Sequence, residues 1–418
     1  MTKSKKVVIT GLGIISPIGN TVSEYWNNCI EGKSGVDFIK RFDASNFPTK
    51  IGAEVKNFDP LNYMDKKTFQ RNDIFTHFGL AAVQQALEDA NLSQANLDKL
   101  DRHRVGVVIG SGIGGIHEFT KNDLAYDKSG WKKVSPFFIP ALITNMASGV
   151  AAITWKLKGP NFSISTACAT ANHSILESMH IIRRGEADII VSGGTEGALS
   201  PLGLAGFCAS RALSANNENP QKASRPFDIN RDGFVLGEGA GILVVESEES
   251  ALKRNAKIYA EIAGGGMSCD AYHITAPCED GEGVIYCMNQ ALINSNVEKD
   301  EVNYINTHGT STPLGDKAEQ FAIKQVFKDS IKNIKINSTK SMIGHLLGAA
   351  GGVEAIAVIK SIESNKLHPT INQDNPDPDC DLECVPNEAI DYKVSVALSN
   401  SFGFGGHNCS LIFKRYNK

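Results

Sequence analysis

The chain alternates strand-like and helix-period runs along its length, and this alternation constrains its fold more than any other feature. β-Branched stretches recur at Lys6 to Thr10, Val105 to Ile109, Asn161 to Ser165, Asp188 to Ser192, Gly241 to Glu246, Lys257 to Ala263, Val302 to Asn306, Ile334 to Ser338, Val394 to Asn400 and Ser410 to Lys414. Apolar stripes at helical spacing lie between them. Phe75, Gly79, Ala82, Val83, Ala86 and Leu87 form one, Ile175, Leu176, Met179 and Ile182 a second, and Val353, Ile356, Ala357 and Ile359 a third. Strands alternating with helices predict α/β layers with largely buried sheets. No Pro/Ser-rich linker divides the chain. The best seam follows Glu246, where the charged segment Ser247 to Arg254 leads into a second strand-rich half, giving halves 1–256 and 257–418. A duplication relating the halves stays open at this level.

Composition narrows the function classes. At 418 residues, 42% hydrophobic and 21% charged, the chain suits one large domain or two closely packed halves. A net charge of −4 gives no global basic field, so neither nucleic acid nor a membrane surface is expected as a partner. Val7-Val8-Ile9 is too short for a signal sequence and suits a first strand. No run of eighteen apolar residues predicts a membrane span. Nine scattered cysteines, an odd count without a CxxC pair, suggest reduced thiols in the cytoplasm rather than a disulfide framework.

Three ordered motifs carry candidate chemistry. Cys168 lies in Ser165-Thr166-Ala167-Cys168-Ala169-Thr170, between a strand run and the helical stripe that starts near Ala171. A thiol at such a turn feels the positive end of the helix, which favours thiolate. Small flanking residues leave room for substrate, whereas a buried structural cysteine is the plainer alternative. His308 opens His308-Gly309-Thr310-Ser311-Thr312-Pro313, and His345 precedes a Gly/Ala-rich helical run. Two neutral imidazoles near one nucleophile could steady an oxyanion or move protons. They also fit core histidines or zinc ligands, but neither has a close-spaced His or Cys neighbour, so no metal is expected. Asn400-Ser401-Phe402-Gly403-Phe404-Gly405-Gly406-His407 suits either an aromatic gate hinged on glycines or a tight turn around a packed phenylalanine. Gly110 to Gly115 matches GxGxxG, yet the following Ile116 to Val134 is polar and irregular, which argues against a dinucleotide site. Lys66, Lys67, Arg71, Lys132, Lys133 and Arg211 are locally clustered bases that would suit an acidic partner if they converge.

With these motifs, and with Ser224-Arg225-Pro226-Phe227-Asp228 and Arg231 to Gly239, the chain resembles the elongating β-ketoacyl-[acyl-carrier-protein] synthases from about Lys5 to Lys414. The resemblance implies a thiolase fold, two related halves in a five-layered αβαβα core, usually as a homodimer. It implies decarboxylative Claisen condensation on substrates carried by acyl-carrier protein. No organic cofactor is implied, and a structural monovalent cation is compatible. By motif, Cys168 is the acylated nucleophile, His308 and His345 assist malonyl decarboxylation, and Lys340 stands beside the second histidine with Glu319 as its expected ion partner. Phe404 is the gate. Ile113 and Phe138 match acyl-pocket residues, with Phe138 expected to reach across the dimer, Phe207 and Phe402 are expected to bind substrate, and Thr310 and Thr312 hold the pantetheine arm. Ala171, Ile343 and His407 stand where the family usually has glycine, threonine and threonine. The rivals are a polyketide or polyene ketosynthase, a thiolase on coenzyme A thioesters, and a silent chain-length partner. The retained Cys168 argues against the last. The thiolase is disfavoured because Phe402 and Phe404 occupy the loop where it would place a second cysteine.

Overall fold

The computed structural model describes residues 5–417. Its main sheet comprises β1 (Val7–Ile15), β2 (Val105–Gly110), β3 (Asn161–Phe162), β4 (Ile189–Glu196), β5 (Gly239–Ser247), β6 (Ala260–Cys269), β7 (Tyr304–Asn306), β8 (Lys335–Asn337), β9 (Val396–Gly403) and β10 (His407–Lys414). The spatial order is β8-β7-β9-β10-β6-β1-β5-β4-β2-β3. Outward from the centre, each side runs first, fifth, fourth, second, third of its own five strands. The directions also match. On each side the first three strands pair antiparallel with their neighbours and the outer pairings are parallel. Within the sheet, among the described residues, the two sides join where Val8 and Ile9 of β1 meet Glu261 and Ala260 of β6.

Around the sheet lie α1 (Ile74–Asp89), α2 (Ile116–Ser129), α3 (Met146–Trp155), α4 (Thr170–Arg183), α5 (Glu282–Ser295), α6 (Pro313–Phe327) and α7 (Ala350–Ser364). Away from the exposed β3 edge, the strands bury most of both faces, as covered sheets do. Ile189 and Val191 of β4 pack outward with Phe75, Ala82 and Ala86 of α1 and Ala147 and Ala151 of α3. Ile190, between them, turns inward to a core shared by Ile175 and Met179 of α4, Val353 and Ile356 of α7, and Leu411 and Phe413 of β10. Ile412 points the other way, to Met288 of α5 and Ile323 of α6. The sheet therefore folds over α4 and α7, giving five layers. Burying each such aliphatic side chain contributes about 1.5–3 kcal/mol.

Local devices repeat with the topology. A Cβ on Gly13 of β1 would overlap the Ala82 carbonyl of α1, and one on Gly266 of β6 would overlap the Cys287 carbonyl of α5. Only glycine lets helix and sheet approach so closely. The turn into α4, Ala167–Ala169, starts with Ala167 at φ 49°, and the turn into α7, Leu347–Ala349, starts with Leu347 at φ 48°. Cys168 and Gly348 thus occupy matching places.

Several expectations need correction. Ile116–Ser129 is a helix, although the segment was expected to be irregular; it lies on the surface with Asn122 alone buried, so it has no apolar stripe to reveal it. The strand expected over Asn161 to Ser165 pairs only through Asn161 and Phe162, at the sheet edge. Strand β1 continues past Gly11, because that glycine accommodates α1 rather than ending the strand.

Candidate active site

Cys168, His308 and His345 converge from three separate turns. Sγ and one ring nitrogen from each histidine all lie within 4.8 Å of one another. Cys168 sits in the turn before α4, His308 just after β7, and His345 in the loop leading to α7. They lie in a cleft of about 590 Å3, which is also lined by Ile113, Phe207, Thr310, Thr312, Phe402 and Phe404. The imidazoles meet edge to face, with centroids 5.3 Å apart. Phe234 stacks edge-on against His345 at 5.2 Å. The Leu347 N–H donates to His345 Nδ1 at 3.3 Å, which leaves Nε2 as the protonated nitrogen. Burial and the Lys340 ammonium hold both histidines well below the usual imidazole range, so both are neutral.

The chain matches the β-ketoacyl synthase N-terminal domain over residues 4–251 and the C-terminal domain over residues 259–374. It belongs to the β-ketoacyl synthase family. It is 52% identical over 412 residues to 3-oxoacyl-[acyl-carrier-protein] synthase I of Arabidopsis thaliana chloroplasts, covering 99% of this chain and 87% of that protein. It is 51% identical over 413 residues to 3-oxoacyl-[acyl-carrier-protein] synthase 2 of Coxiella burnetii, covering 99% of both. Among solved structures, a type II polyketide ketosynthase in complex with its acyl-carrier protein superposes with a TM-score of 0.92 at 35% identity, covering 99% of this chain and 100% of that one. A β-ketoacyl synthase from Burkholderia phymatum gives 0.92 at 31% identity, with the same coverage. The five-layered fold is the thiolase fold of these ketosynthases.

The β-ketoacyl synthase site departs from the sequence reading in two respects. Burial pushes the Cys168 thiol up to about 12, against the lowering influence of Lys340 and the Phe404 N–H. Burial of the sulfur thus opposes the thiolate-favouring influence of the helix end. Lys340 pairs with Glu354, not Glu319; both partners are fully buried, and Glu354 projects from α7 just past its first turn. Glu319 instead accepts the N–H groups of His308 and Gly309, each at 2.8 Å, and the Asn400 amide at 3.0 Å. Its buried carboxyl is pushed up to about 7. Sequence reasoning missed Glu354, Asn400 and Phe234.

The glycine-hinged loop turns sharply at Phe404-Gly405-Gly406, with Gly405 and Gly406 at φ 85° and 76°. The Phe404 N–H faces the Cys168 sulfur. A Cβ on Gly403 would lie 3.0 Å from the Cys168 nitrogen, so glycine keeps that approach open. Thr310 and Thr312 hydroxyls bond each other at 3.0 Å. Their loop is braced by Asp316, which accepts the Ser311 and Phe227 N–H groups. Phe138 begins a short helix outside this cleft. Lys66, Lys67, Arg71, Lys132 and Lys133 are exposed around that region, with Arg71 lying 4.2 Å over the Phe137 ring; Arg211 lies apart, at the cleft wall. The Ala171 methyl faces Gly194, and the His407 ring lies against Gly405.

The GxGxxG stretch is already engaged. The N–H groups of Gly112 and Ile113 donate to the Glu196 carboxylate at 2.8 and 3.3 Å, so a protein anion fills the place a phosphate would take.

Proposed function

We propose that the chain catalyses decarboxylative Claisen condensation of acyl-[acyl-carrier protein] with malonyl-[acyl-carrier protein]. The products are 3-oxoacyl-[acyl-carrier protein] and CO2, in the elongation step of fatty-acid synthesis. The carrying observation is the convergence of Cys168, His308 and His345 in the cleft, with the Phe404 N–H turned toward the sulfur. In the first half-reaction the Cys168 sulfur bonds the acyl carbonyl carbon, and the pantetheine thiol leaves with a proton. The N–H groups of Cys168 and Phe404 steady the tetrahedral oxyanion. In the second, malonyl thioester loses CO2, and His308 and His345 stabilise the enolate oxygen. The enolate carbon then attacks the acyl carbonyl and Cys168 leaves. Lys340, paired with Glu354, places positive charge beside both histidines and keeps them neutral donors. That same charge disfavours a metal cation among the three converging groups.

A structural monovalent cation fits elsewhere. Asn306 Oδ1, Ser399 Oγ and Glu354 Oε2 are buried oxygens without hydrogen-bond partners among the described residues, and Asn306 and Ser399 face each other across β7 and β9. This oxygen-only set would suit a hard cation.

The acyl chain would lie against Ile113, Phe207 and Phe402, and the arm against Thr310 and Thr312. The exposed bases would receive the acidic carrier protein. The division into 1–256, bearing the nucleophile, and 257–418, bearing the histidines and gate, is supported by the repeated strand order. A cytoplasmic homodimer completes the reading. It is supported by the open sheet edge at β3, where Phe162 is 36% exposed beside Ile153 at 75% and Ile139 at 58%. No helix among the described residues is long and apolar enough to cross a membrane. The fatty-acid role is favoured over a polyketide role because the 3-oxoacyl synthases share 51–52% identity and the polyketide ketosynthase 35%.

Incubation with acyl- and malonyl-carrier proteins should give a 3-oxoacyl product two carbons longer than the acyl donor, and Cys168→Ala should form none. Product formation unaffected by that substitution would overturn the assignment.

A further inference from the structure

Glu196 ends β4 fully buried and in no ion pair among the described residues. Its two oxygens divide between two loops. Oε1 accepts the Ser111 hydroxyl at 2.8 Å and the Ile113 N–H at 3.3 Å. Oε2 accepts the Gly112 N–H at 2.8 Å and the Gly348 N–H at 3.1 Å. Three of these partners are backbone N–H groups, which can only donate, so the site is built around the acceptor lone pairs of Glu196, although burial pushes its carboxyl up. The first loop carries Ile113 into the cleft wall. The second follows His345, and its Leu347 N–H fixes the His345 tautomer. The loops touch here, because a Cβ on Gly348 would lie 2.5 Å from the Gly112 nitrogen. No other side chain bonds the backbone of both loops among the described residues.

We infer that Glu196 is a positioning residue coupling the acyl pocket to His345: a chain that displaces Ile113 shifts the Gly112–Glu196–Gly348 bridge and so resets the histidine for the malonyl step. This rests on the condensing-enzyme reading and adds to it a path by which the first substrate prepares the site for the second. In Glu196→Gln the amide can offer only one oxygen to these donors. Its NH2 is best placed toward Ser111, the one partner able to accept, which releases the Ile113 N–H.

The test caps Cys168 with iodoacetamide or with N-dodecyl-iodoacetamide, so that decarboxylation of malonyl-carrier protein is the only turnover left. In wild type the long cap should change CO2 release relative to the short cap by about fivefold or more, the lower range of site-to-site coupling. In Glu196→Gln that ratio should fall toward one, and Ser111→Ala should lower it partway, with both proteins melting near wild type. A ratio of one in wild type, or an undiminished ratio in either variant, overturns the inference. So does a uniform loss at both caps with a lowered melting temperature, which would make Glu196 a fold residue only. If Glu196→Gln does not fold, the Ser111→Ala ratio decides. Wild type that neither acylates Cys168 nor releases CO2 would instead overturn the functional reading itself.

Discussion

Cys168 is held between opposing influences. Burial favours the thiol, while Lys340, the Phe404 N–H and the adjacent helix end favour the thiolate. With the thiol pushed up to about 12, the thiolate fraction grows tenfold for each pH unit across the neutral range. Alkylation of Cys168 by iodoacetamide should therefore climb from pH 7 to pH 9 without a plateau, and Lys340→Met should slow it at every pH. A plateau near neutrality, followed by adduct mass spectrometry, would show that the sulfur is already ionised at rest. In the proposed reaction the neutral histidines serve the malonyl half-reaction. His308→Ala and His345→Ala should retain self-acylation while losing decarboxylation by about 10²–10³-fold, the cost of one oxyanion donor. Acyl-enzyme mass and CO2 release, followed separately, check this division. The three converging residues were legible because each lies in a long, ordered motif. Lys340's partner was not. Glu319 is close in sequence to His308 and was misassigned, whereas the usable signal was a lone carboxylate within the apolar run Gly352-Val353-Glu354-Ala355-Ile356. Glu196, closing an apolar strand, carries the same signal.

At the scale of elements, the hairpin of β9 and β10 carries Phe404, the proposed gate. Gly405 N–H bonds Ile274 O at 2.8 Å and Asp270 N–H bonds Gly406 O at 3.0 Å, so the turn is latched to the loop after β6. The Phe404 side chain is only partly buried, and this suits a residue that moves. Phe404→Ala should leave the hairpin paired and weaken the ordering of the two half-reactions, shifting acylation rates across chain lengths. An unchanged profile in the folded variant would reduce Phe404 to packing. The sequence left this stretch open between a glycine-hinged gate and a tight turn; the structure closes it as a hairpin with Gly405 and Gly406 both left-handed. Helix α2 was not announced. Its N-terminus at Gly115 has no side-chain cap and its faces are polar, so neither periodicity nor a start signal marks it.

At the scale of the whole molecule, the repeated five-strand order places the nucleophile turn and the histidine loop at matching ends of α4 and α7. One sequence left the duplication open, because the repeat lies in topology and in turn geometry rather than in residue identity. The five central layers leave one feature unexplained within a single chain: Phe138 lies outside the cleft, beside exposed Ile139 and near the open β3 edge. If two copies pair along that edge, each Phe138 can serve its neighbour's acyl pocket. Phe138→Trp should then alter chain-length preference, and the location of the effect can be read by complementation. A Cys168→Ala chain has no nucleophile but a normal Phe138, whereas a Phe138→Trp chain has the nucleophile and the altered side chain. In co-expressed mixed dimers the single working Cys168 belongs to the Phe138→Trp chain. Pairing in trans gives that cysteine a normal phenylalanine, so acylation rates across chain lengths should return to the wild-type profile. Mixed dimers that keep the Phe138→Trp profile would place Phe138 in its own chain's site, and a monomer in sedimentation would remove the shared pocket altogether.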